Sequence, residues 1–501
     1  MSDFLLIPIA ILYLLVVGCL FIYGINFFYM TYLSLRRRPP EPPPLPEQWP
    51  SVTVQLPIYN ELYVTERLIE AAIRLAYPAD RLEIQVLDDS TDETAHIARR
   101  AVETARQQGA NIVYLHRGHR KGYKAGALAE GTVIASGEYL AIFDSDFIPP
   151  TDFLQRTIPH LLTNPKLAFV QARWGHVNRD YSFLTLLQSL SIDAHFMVEQ
   201  SARFMGGFWF NFNGTAGIWR RTAIEDAGGW QADTLTEDLD LSYRAFLRGW
   251  HAHFLRDLEV PAELPVSFSA FRRQQHRWAR GSLECITRLA PAVWDAPIPL
   301  SKKIGATLHL AGYGVHLLLF ALAILYPLIL SISQEYTHLI TLFGIAVIFN
   351  ITAVAPTVFF IAAQHQLGRD WWRKLPTILF ITTLGTGMML NTVRAFLQIL
   401  TGHRITFERT PKFGVADKSQ NWHNKRYQLK LDPLVYFEIM FGLFNVGTIL
   451  YSILVKNYVI TFYASLFAIG LFFVSGLSIA QTIAVFRQKN ETVAISTVST
   501  D

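Results

Sequence analysis

The chain has little charge for its length and almost no cysteine. Only 17% of its 501 residues are Asp, Glu, Lys or Arg, against about 25% in typical soluble domains. The net charge of +4 is too small to indicate a nucleic-acid partner. Cys19 lies in an apolar segment and Cys285 in a soluble region, which excludes a disulfide framework and a cysteine zinc site. The charge deficit is confined to both ends, so the composition indicates a soluble domain between membrane segments.

The N-terminal segment predicts a membrane-spanning helix over residues 1–38. Residues 4–35 are nearly all apolar, and Arg36-Arg37-Arg38 follow at once. A secretory signal is shorter and carries its charges before the apolar core. The opposite order predicts a helix whose C-terminal end lies in the cytosol. The proline-rich residues 39–50 then predict a stiff linker.

A C-terminal membrane domain is predicted over residues 301–488, followed by a tail at 489–501. Its apolar segments lie at 305–332, 339–363, 375–400 and 433–486, the last long enough for two spans divided near Lys456-Asn457. Basic loops at 369–374 and 402–430 should face the cytosol, which leads to an integral multi-pass protein of the cell membrane with its soluble domain in the cytosol.

The segment 375–400 is interpreted as an interfacial helix. It lies between the two basic loops and contains Asn391 and Arg394. A helix that begins and ends in the cytosol does not cross once, and charge inside a span is costly. This interpretation gives five spans, an outside N-terminus and a cytosolic C-terminus. A plain sixth span is the alternative.

The soluble domain, residues 51–300, reads as α/β. Short β-rich runs alternate with helical stretches, which predicts a mostly parallel sheet. The predicted strands are 51–58, 82–87, 112–115 and 139–143, and the helices are 62–76, 93–108 and 123–135. Ligands of such sheets bind beyond the carboxyl ends of the strands, where this chain places its polar clusters.

Two acidic clusters follow predicted strands. Asp144-Ser145-Asp146 can offer carboxylate oxygens to Mg²⁺ or Mn²⁺, which would offset the charge of a diphosphate. An isolated Asp-x-Asp is also typical of a solvated turn. Asp88-Asp89-Ser90 can accept hydrogen bonds from a nucleoside, or can cap the following helix.

A basic, glycine-bearing loop, residues 116–126, precedes a predicted helix and contains Lys124. Cations beside a helix N-terminus suit a diphosphate, although a solvated loop is the simpler interpretation. Further along, Thr236-Glu237-Asp238 precedes an amphipathic helix. Thr236 can cap that helix, whereas Asp238, with its pKa raised by the neighbouring acid, can act as a general base.

Two further stretches combine aromatic and polar side chains. Residues 274–281 place Arg277 next to Trp278, a pairing that suits a diphosphate and a sugar, although an interfacial helix near lipid headgroups also explains it. Residues 208–215 suit a sugar pocket, although most of their Phe residues fit a hydrophobic core better.

Taken in this order, the motifs resemble the family 2 glycosyltransferases, and among them the cellulose synthase-like proteins, which include plant mannan synthases. The matching stretches are 54–61, 88–92, 122–128, 143–147, 170–174, 212–217, 236–240 and 274–278. The resemblance implies a nucleotide-sugar-binding domain of the GT-A type. The chain departs from the plant mannan-type pattern, Ser-Cys-Gly-Pro, at Ala279-Arg280-Gly281-Ser282, so donor and product stay open.

The resemblance also implies a role for each matching residue. Asp238 would be the base of an inverting transfer, and Asp144 and Asp146 would hold Mg²⁺ or Mn²⁺. The donor-binding residues would be Asp88, Asp89, Lys124, Asp144, Asp146, Gln274, Arg277 and Trp278. The acceptor-binding residues would be Phe212, Asn213, Gly214, Thr215, Glu237 and Trp278.

Three functions are compatible with this pattern. The leading one is a processive synthase that extends a β-linked polysaccharide from UDP-glucose or GDP-mannose. The second is a single transfer to a membrane lipid. The third, a transporter or an inactive scaffold, fits poorly because the polar constellation lies outside the membrane segments and all expected carboxylates are present.

Overall fold

A computed structural model describes residues 3–335, 347–403 and 407–498. The predicted mostly parallel α/β domain is confirmed, with helices on both sides of it in the chain. Its strands are β1 (Val52–Ile58), β2 (Leu82–Asp88), β3 (Ile112–His116), β4 (Tyr139–Ile142), β5 (Leu167–His176), β6 (Gly217–Arg220) and β7 (His251–Ala262).

The described helices precede, interleave with and follow these strands. They are α1 (Asp3–Arg36), α2 (Thr65–Ile73), α3 (Thr94–Gln107), α4 (Tyr123–Ile134), α5 (Phe153–Thr163), α6 (Phe183–Ala194), α7 (Ser201–Gly206), α8 (Arg221–Asp226), α9 (Glu237–Leu247), α10 (Phe268–Asp295), α11 (Leu300–Leu310), α12 (Gly314–Glu335), α13 (Ala355–Gln366), α14 (Leu375–Gly387), α15 (Met389–Leu400), α16 (Leu434–Leu454) and α17 (Tyr458–Val498). A π-helical turn, His195–Gln200, joins α6 to α7.

The strands form one sheet in the order β3-β2-β1-β4-β6-β5-β7. Strand β6 runs antiparallel to both of its neighbours, β4 and β5, while the other pairs are parallel. Six carboxyl ends therefore meet at one edge of the sheet, as expected for ligand sites in such folds. The central strands β1 and β4 are buried on both faces (Val54, Leu56 and Ile142 are each 0% exposed), since helices cover the sheet on each side.

Five helical segments in the described part are long and apolar enough to cross a membrane. They are Ile7–Arg36, Gly314–Gln334, Trp371–Leu400, Leu434–Leu454 and Tyr458–Gln488. The predicted segment 339–363 lies partly outside the described residues, and its described part ends in α13. Helices α16 and α17 are separate, with Lys456-Asn457 between them.

The segment predicted to be interfacial, 375–400, meets the length and composition of a span but is divided at Met388 into α14 and α15. Its polar residues are paired inside the protein. Asn391 donates a hydrogen bond to the Arg272 carbonyl (3.2 Å), and Arg394 binds Asp432 through two hydrogen bonds (2.8 and 2.9 Å). Such pairing makes polar groups tolerable at membrane depth, so interfacial helix and sixth span both remain compatible with the structure.

Candidate active site

The carboxyl ends of the parallel strands open into one cleft. Glu61 follows β1, Asp89 follows β2, Asp144 and Asp146 follow β4, and Glu263 follows β7, and all of them line the cleft. Helices α9 and α10 form the opposite wall. The sheet thus brings together carboxylates that lie up to about 200 residues apart in the chain because parallel strands end on the same side.

The nucleoside carboxylates predicted from the second strand occupy different environments. Asp89 lines the cleft and is held by Arg117, whose Nε and Nη2 donate to its two oxygens at 2.6 and 2.5 Å. Asp88 is 0% exposed and does not line the cleft. It accepts hydrogen bonds from the Ser90 backbone and the Tyr114 hydroxyl, so its contacts stabilise the loop that carries Asp89.

Lys124 connects the first acid of the Asp144–Asp146 pair with the loop before β6. Its ammonium lies 2.5 Å from Oδ1 of Asp144 and donates to the Gly214 carbonyl at 2.9 Å. Burial opposes its charge, but Asp144 and Glu237 outweigh that effect and raise the pKa of Lys124. The loop also fixes the acid from the other side, because Thr215 accepts a hydrogen bond from the Asp144 backbone at 2.8 Å.

Asp146 is paired with a lysine from the loop between membrane segments. Lys412 Nζ lies 2.6 Å from Asp146 Oδ2 and donates to the Glu263 carbonyl at 2.9 Å. The Glu263 carboxylate accepts from the backbone of Phe413 (2.8 Å) and Val415 (3.3 Å). This loop is therefore fastened directly to the acidic end of the sheet.

The donor set at Asp144 and Asp146 fits a hard divalent cation. Each carboxylate uses one oxygen in a lysine ion pair, and no described residue bonds the other oxygen of either. Within residues 3–335, 347–403 and 407–498, no cluster of three or more His, Cys, Asp or Glu can enclose a metal. Two carboxylates completed by phosphate oxygens are a usual arrangement for Mg²⁺, so the site suits a cation that arrives with a diphosphate.

Asp238 stands in the first turn of α9, half-buried in the wall of the cleft. Burial, with Glu237 beside it, raises the pKa of Asp238 to about 7, against the opposing effect of Lys124. A Cβ on Gly214 would lie 3.0 Å from Asp238 Oδ2, and this glycine has φ +79, so the backbone approaches the carboxylate as only glycine allows. Thr236 precedes the helix but makes no side-chain cap.

Helix α10 presents Gln274, Arg277 and Trp278 to the same cleft. Trp278 packs near Trp174, with ring centroids 6.4 Å apart. Arg277 donates to the Glu408 carbonyl at 3.2 Å, and its guanidinium lies 4.6 Å from the Phe407 ring centroid. Burial lowers the pKa of Arg277, although the acids around the cleft oppose the shift.

The residues predicted for the acceptor divide into two groups. Asn213, Gly214 and Glu237 line the cleft. Phe212 (0% exposed) and Thr215 (1% exposed) do not line it. Phe212 packs in the core against Phe169, and the Thr215 hydroxyl accepts a hydrogen bond from the Asp144 backbone.

The site also contains residues that the sequence reading assigned to membrane topology. Residues 407–428, here called the cover segment, lie over the cleft and add Phe407, Arg409, Thr410 and Lys412 to its lining. Arg409 pairs with Glu61 at 3.2 Å, and burial, opposed by Arg409, raises the pKa of Glu61 to about 8. Tyr427 binds Asp92, and Tyr123 stacks on Phe407. In the sequence these residues form a basic loop with one aromatic residue, a pattern that is equally typical of a membrane flank and does not by itself indicate the contact.

The comparison with known families identifies the class of this domain. Residues 50–281 match the family described as Glycosyltransferase like family 2, and this part of the chain is a family 2 glycosyltransferase domain. The resemblance predicted from the motifs is thereby confirmed.

Particular relatives are plant proteins. Glucomannan 4-beta-mannosyltransferase 9 of Arabidopsis thaliana is 47% identical over 261 residues, which are 51% of this chain and 49% of that protein. Glucomannan 4-beta-mannosyltransferase 2 of Arabidopsis thaliana is 52% identical over 240 residues, 46% of this chain and 44% of that protein. The chain spans about half the length of the curated relatives it matches.

A solved structure supports the GT-A type of fold. A mannosyltransferase from Pyrobaculum calidifontis, in complex with GDP-Man and Mn²⁺, superposes with a TM-score of 0.53 at 21% identity. The match covers 79% of this chain and 100% of that one. At this identity the likeness establishes the fold alone.

Proposed function

We propose that the protein is an inverting membrane hexosyltransferase that transfers mannose from GDP-mannose to a β-linked polysaccharide. The observation that carries the proposal is one cleft in which Asp238, with a pKa near 7, shares its walls with Asp144, Asp146 and Arg277. The cleft combines a base with a place for a charged leaving group, as a single-displacement transfer needs. The plant relatives favour mannose over glucose as the transferred sugar.

The geometry supports the following chemistry. Asp238 removes the proton from an acceptor hydroxyl, whose oxygen forms a bond to C1 of the donor sugar. The bond from C1 to the phosphate oxygen breaks on the opposite face, so the configuration at C1 inverts and the electron pair leaves on the diphosphate. Lys124 and Arg277 are two of the cations that line the cleft, and both can offset this charge. Asp144 and Asp146 would hold a divalent cation, which supplies further charge neutralisation to the diphosphate when bound.

Acceptor recognition is proposed for the wall formed by Trp278, Asn213 and Glu237. An indole can stack against the apolar face of a sugar ring while amide and carboxylate groups bind its hydroxyls. Each transfer leaves a new terminal sugar with a free hydroxyl, so a product that stays on Trp278 becomes the next acceptor. Repetition of this step is the basis for proposing processive synthesis rather than single transfer.

The proposal is tested with purified protein in lipid nanodiscs. Radiolabelled GDP-mannose, GDP-glucose, UDP-glucose and UDP-N-acetylglucosamine are offered separately, with a short β-linked mannan as acceptor. We expect label from GDP-mannose in polymer that a filter retains and that an endo-β-mannanase degrades. Label only in a chloroform–methanol extract would establish the lipid acceptor instead, and no transfer from any donor would overturn the proposal. The variant Asp238→Asn serves as the blank.

A further inference from the structure

The face of α10 turned away from the cleft is bound to the membrane helices by charged and polar side chains. An α-helix advances about 100° per residue, which places Arg272 about 140° around the helix from Arg277. His276, one turn after Arg272, shares the far face, where its Nε2 lies 2.9 Å from Gln398 of α15. Gln274, Arg277 and Trp278 face the cleft. The two faces of α10 therefore have separate partners.

Arg272 is the central contact of this far face. Its Nη2 donates to Glu438 Oε2 of α16 at 2.8 Å and to Ser478 Oγ of α17 at 3.1 Å. The Arg272 and Glu438 side chains are each only 1% exposed. Asn391 of α15 donates to the Arg272 carbonyl at 3.2 Å. One residue of α10 thus contacts three helices of the membrane part.

The charges of this pair need an explanation other than stability. A buried ion pair pays a desolvation cost, and apolar side chains of similar volume commonly stabilise a protein as well or better. The pair is also incompletely satisfied, because Glu438 Oε1 and Arg272 Nε have no hydrogen-bond partner among the described residues. A hydrogen-bonded ion pair has a directional geometry that an apolar contact lacks. This geometry fixes the rotation of a helix and its position along its axis.

We propose that Glu438, through Arg272, is a positioning residue for the transfer reaction. The pair sets the rotation and axial position of α10 so that Arg277 and Trp278 face the donor and the acceptor. This inference rests on the proposed function, because it assigns Glu438 a role in the chemistry of the same cleft. Arg272 lies only five residues before Arg277 on one continuous helix, so a shift at the pair displaces the cleft residues directly.

The test compares three forms of the full-length protein in nanodiscs with the wild type. Glu438→Gln keeps the shape of the side chain and removes its charge. The double variant Arg272→Met/Glu438→Leu replaces the ion pair by an apolar contact. Asn445→Ala is the matched control, because Asn445 is buried on the same helix and donates to its own helix at Phe441.

The measurements are kcat, the donor KM and the temperature of unfolding. We expect Glu438→Gln to lower kcat by about tenfold to a hundredfold, since misplacement by about 1 Å can cost this much. The donor KM should change by less than about threefold, because positioning matters most in the transition state. The double variant should unfold at or above the wild-type temperature and keep the low kcat, while Asn445→Ala keeps the wild-type kcat.

A wild-type kcat in Glu438→Gln, or in a stably folded double variant, would overturn the positioning role and leave a purely structural contact. If the double variant does not fold, Glu438→Gln decides alone, with its unfolding temperature as the check on stability. Failure of the proposed function gives a different result, because the wild-type protein itself would then transfer no sugar.

Discussion

The ammonium of Lys412 lies 2.6 Å from Oδ2 of Asp146, a residue 266 positions earlier in the chain. The lysine belongs to the cover segment between α15 and α16. The aspartate lies in the loop that follows β4. Both groups are largely buried. A segment attached to the membrane helices therefore takes part in the charge balance of the cleft, and its removal should affect donor binding.

The variant Lys412→Met tests this contact. The substitution keeps the length of the side chain but leaves Asp146 without its cation, so the carboxylate repels a donor diphosphate more strongly. We expect the donor KM to rise about tenfold, which corresponds to about 1.4 kcal/mol. The measurement is initial rate against donor concentration. Lys418→Met is the control, because Lys418 is exposed in the same segment, and equal KM values for both variants would contradict the role of Lys412.

The variant Asp238→Asn tests the base. The amide is nearly isosteric but cannot take a proton, so the chemical step should slow by about 10²–10⁴. Binding of the donor nucleotide should stay within about threefold, measured by calorimetric titration. Asp233→Asn, an exposed acid in the loop before α9, should keep normal rates. Wild-type turnover in Asp238→Asn would remove Asp238 from the mechanism.

The pH dependence of kcat/KM should show the titration of Asp238. The base works only when it is deprotonated, so the rate should fall as the pH drops through about 7, its pKa in the free protein. Burial is the larger cause of this pKa and Glu237 the second. Glu237→Gln removes only the second cause, so the acidic limb should move to lower pH without reaching the value of an exposed aspartate. A limb that stays in place or moves upward would contradict the assignment.

Much of the sheet edge could be predicted from the sequence because strand ends are local features. A run such as 82–87 is apolar and β-rich, and the acids that follow it must lie at the carboxyl edge of a parallel sheet. Asp89, Asp144 and Asp146 are expected to lie together for the same reason, because each of them follows a predicted strand. It did not distinguish Asp88 from Asp89, since alternate side chains of a strand point to opposite faces and only packing decides which face is open.

The cover segment could not be predicted in this way. Its cations, Arg409 and Lys412, occur in a loop whose basic character is also typical of a cytosolic membrane flank. Their contacts with Glu61 and Asp146 depend on how the membrane helices return the chain to the sheet. Such long-range placement leaves no periodic pattern in the sequence. The difference at Phe212 and Thr215 has another cause, because a local motif does not show which of its side chains are buried.

Removal of divalent metal should stop transfer while the protein stays folded. Asp144 and Asp146 already hold lysine partners, so their charges are partly balanced without a cation. We therefore expect EDTA to abolish activity without a change in the unfolding temperature, and Mn²⁺ or Mg²⁺ to restore it. The unfolding temperature in the presence of GDP should rise with Mn²⁺ in the wild type but not in Asp144→Asn. Undiminished rates in EDTA would contradict the metal assignment.

The contact between α10 and the start of α9 predicts that Gly281 tolerates no side chain. A Cβ at this position would lie 2.5 Å from Cγ2 and Oγ1 of Thr236 and 2.8 Å from its backbone nitrogen. Since backbone cannot move aside without shifting Asp238 two residues later, Gly281→Ala should lower kcat about a hundredfold. Gly447→Ala is the control, because a Cβ there meets nothing within 4 Å and alanine favours a helix. The decisive comparison is kcat in protein that elutes as a single folded species, where normal turnover of Gly281→Ala would show that the two helices can separate without loss of the catalytic geometry.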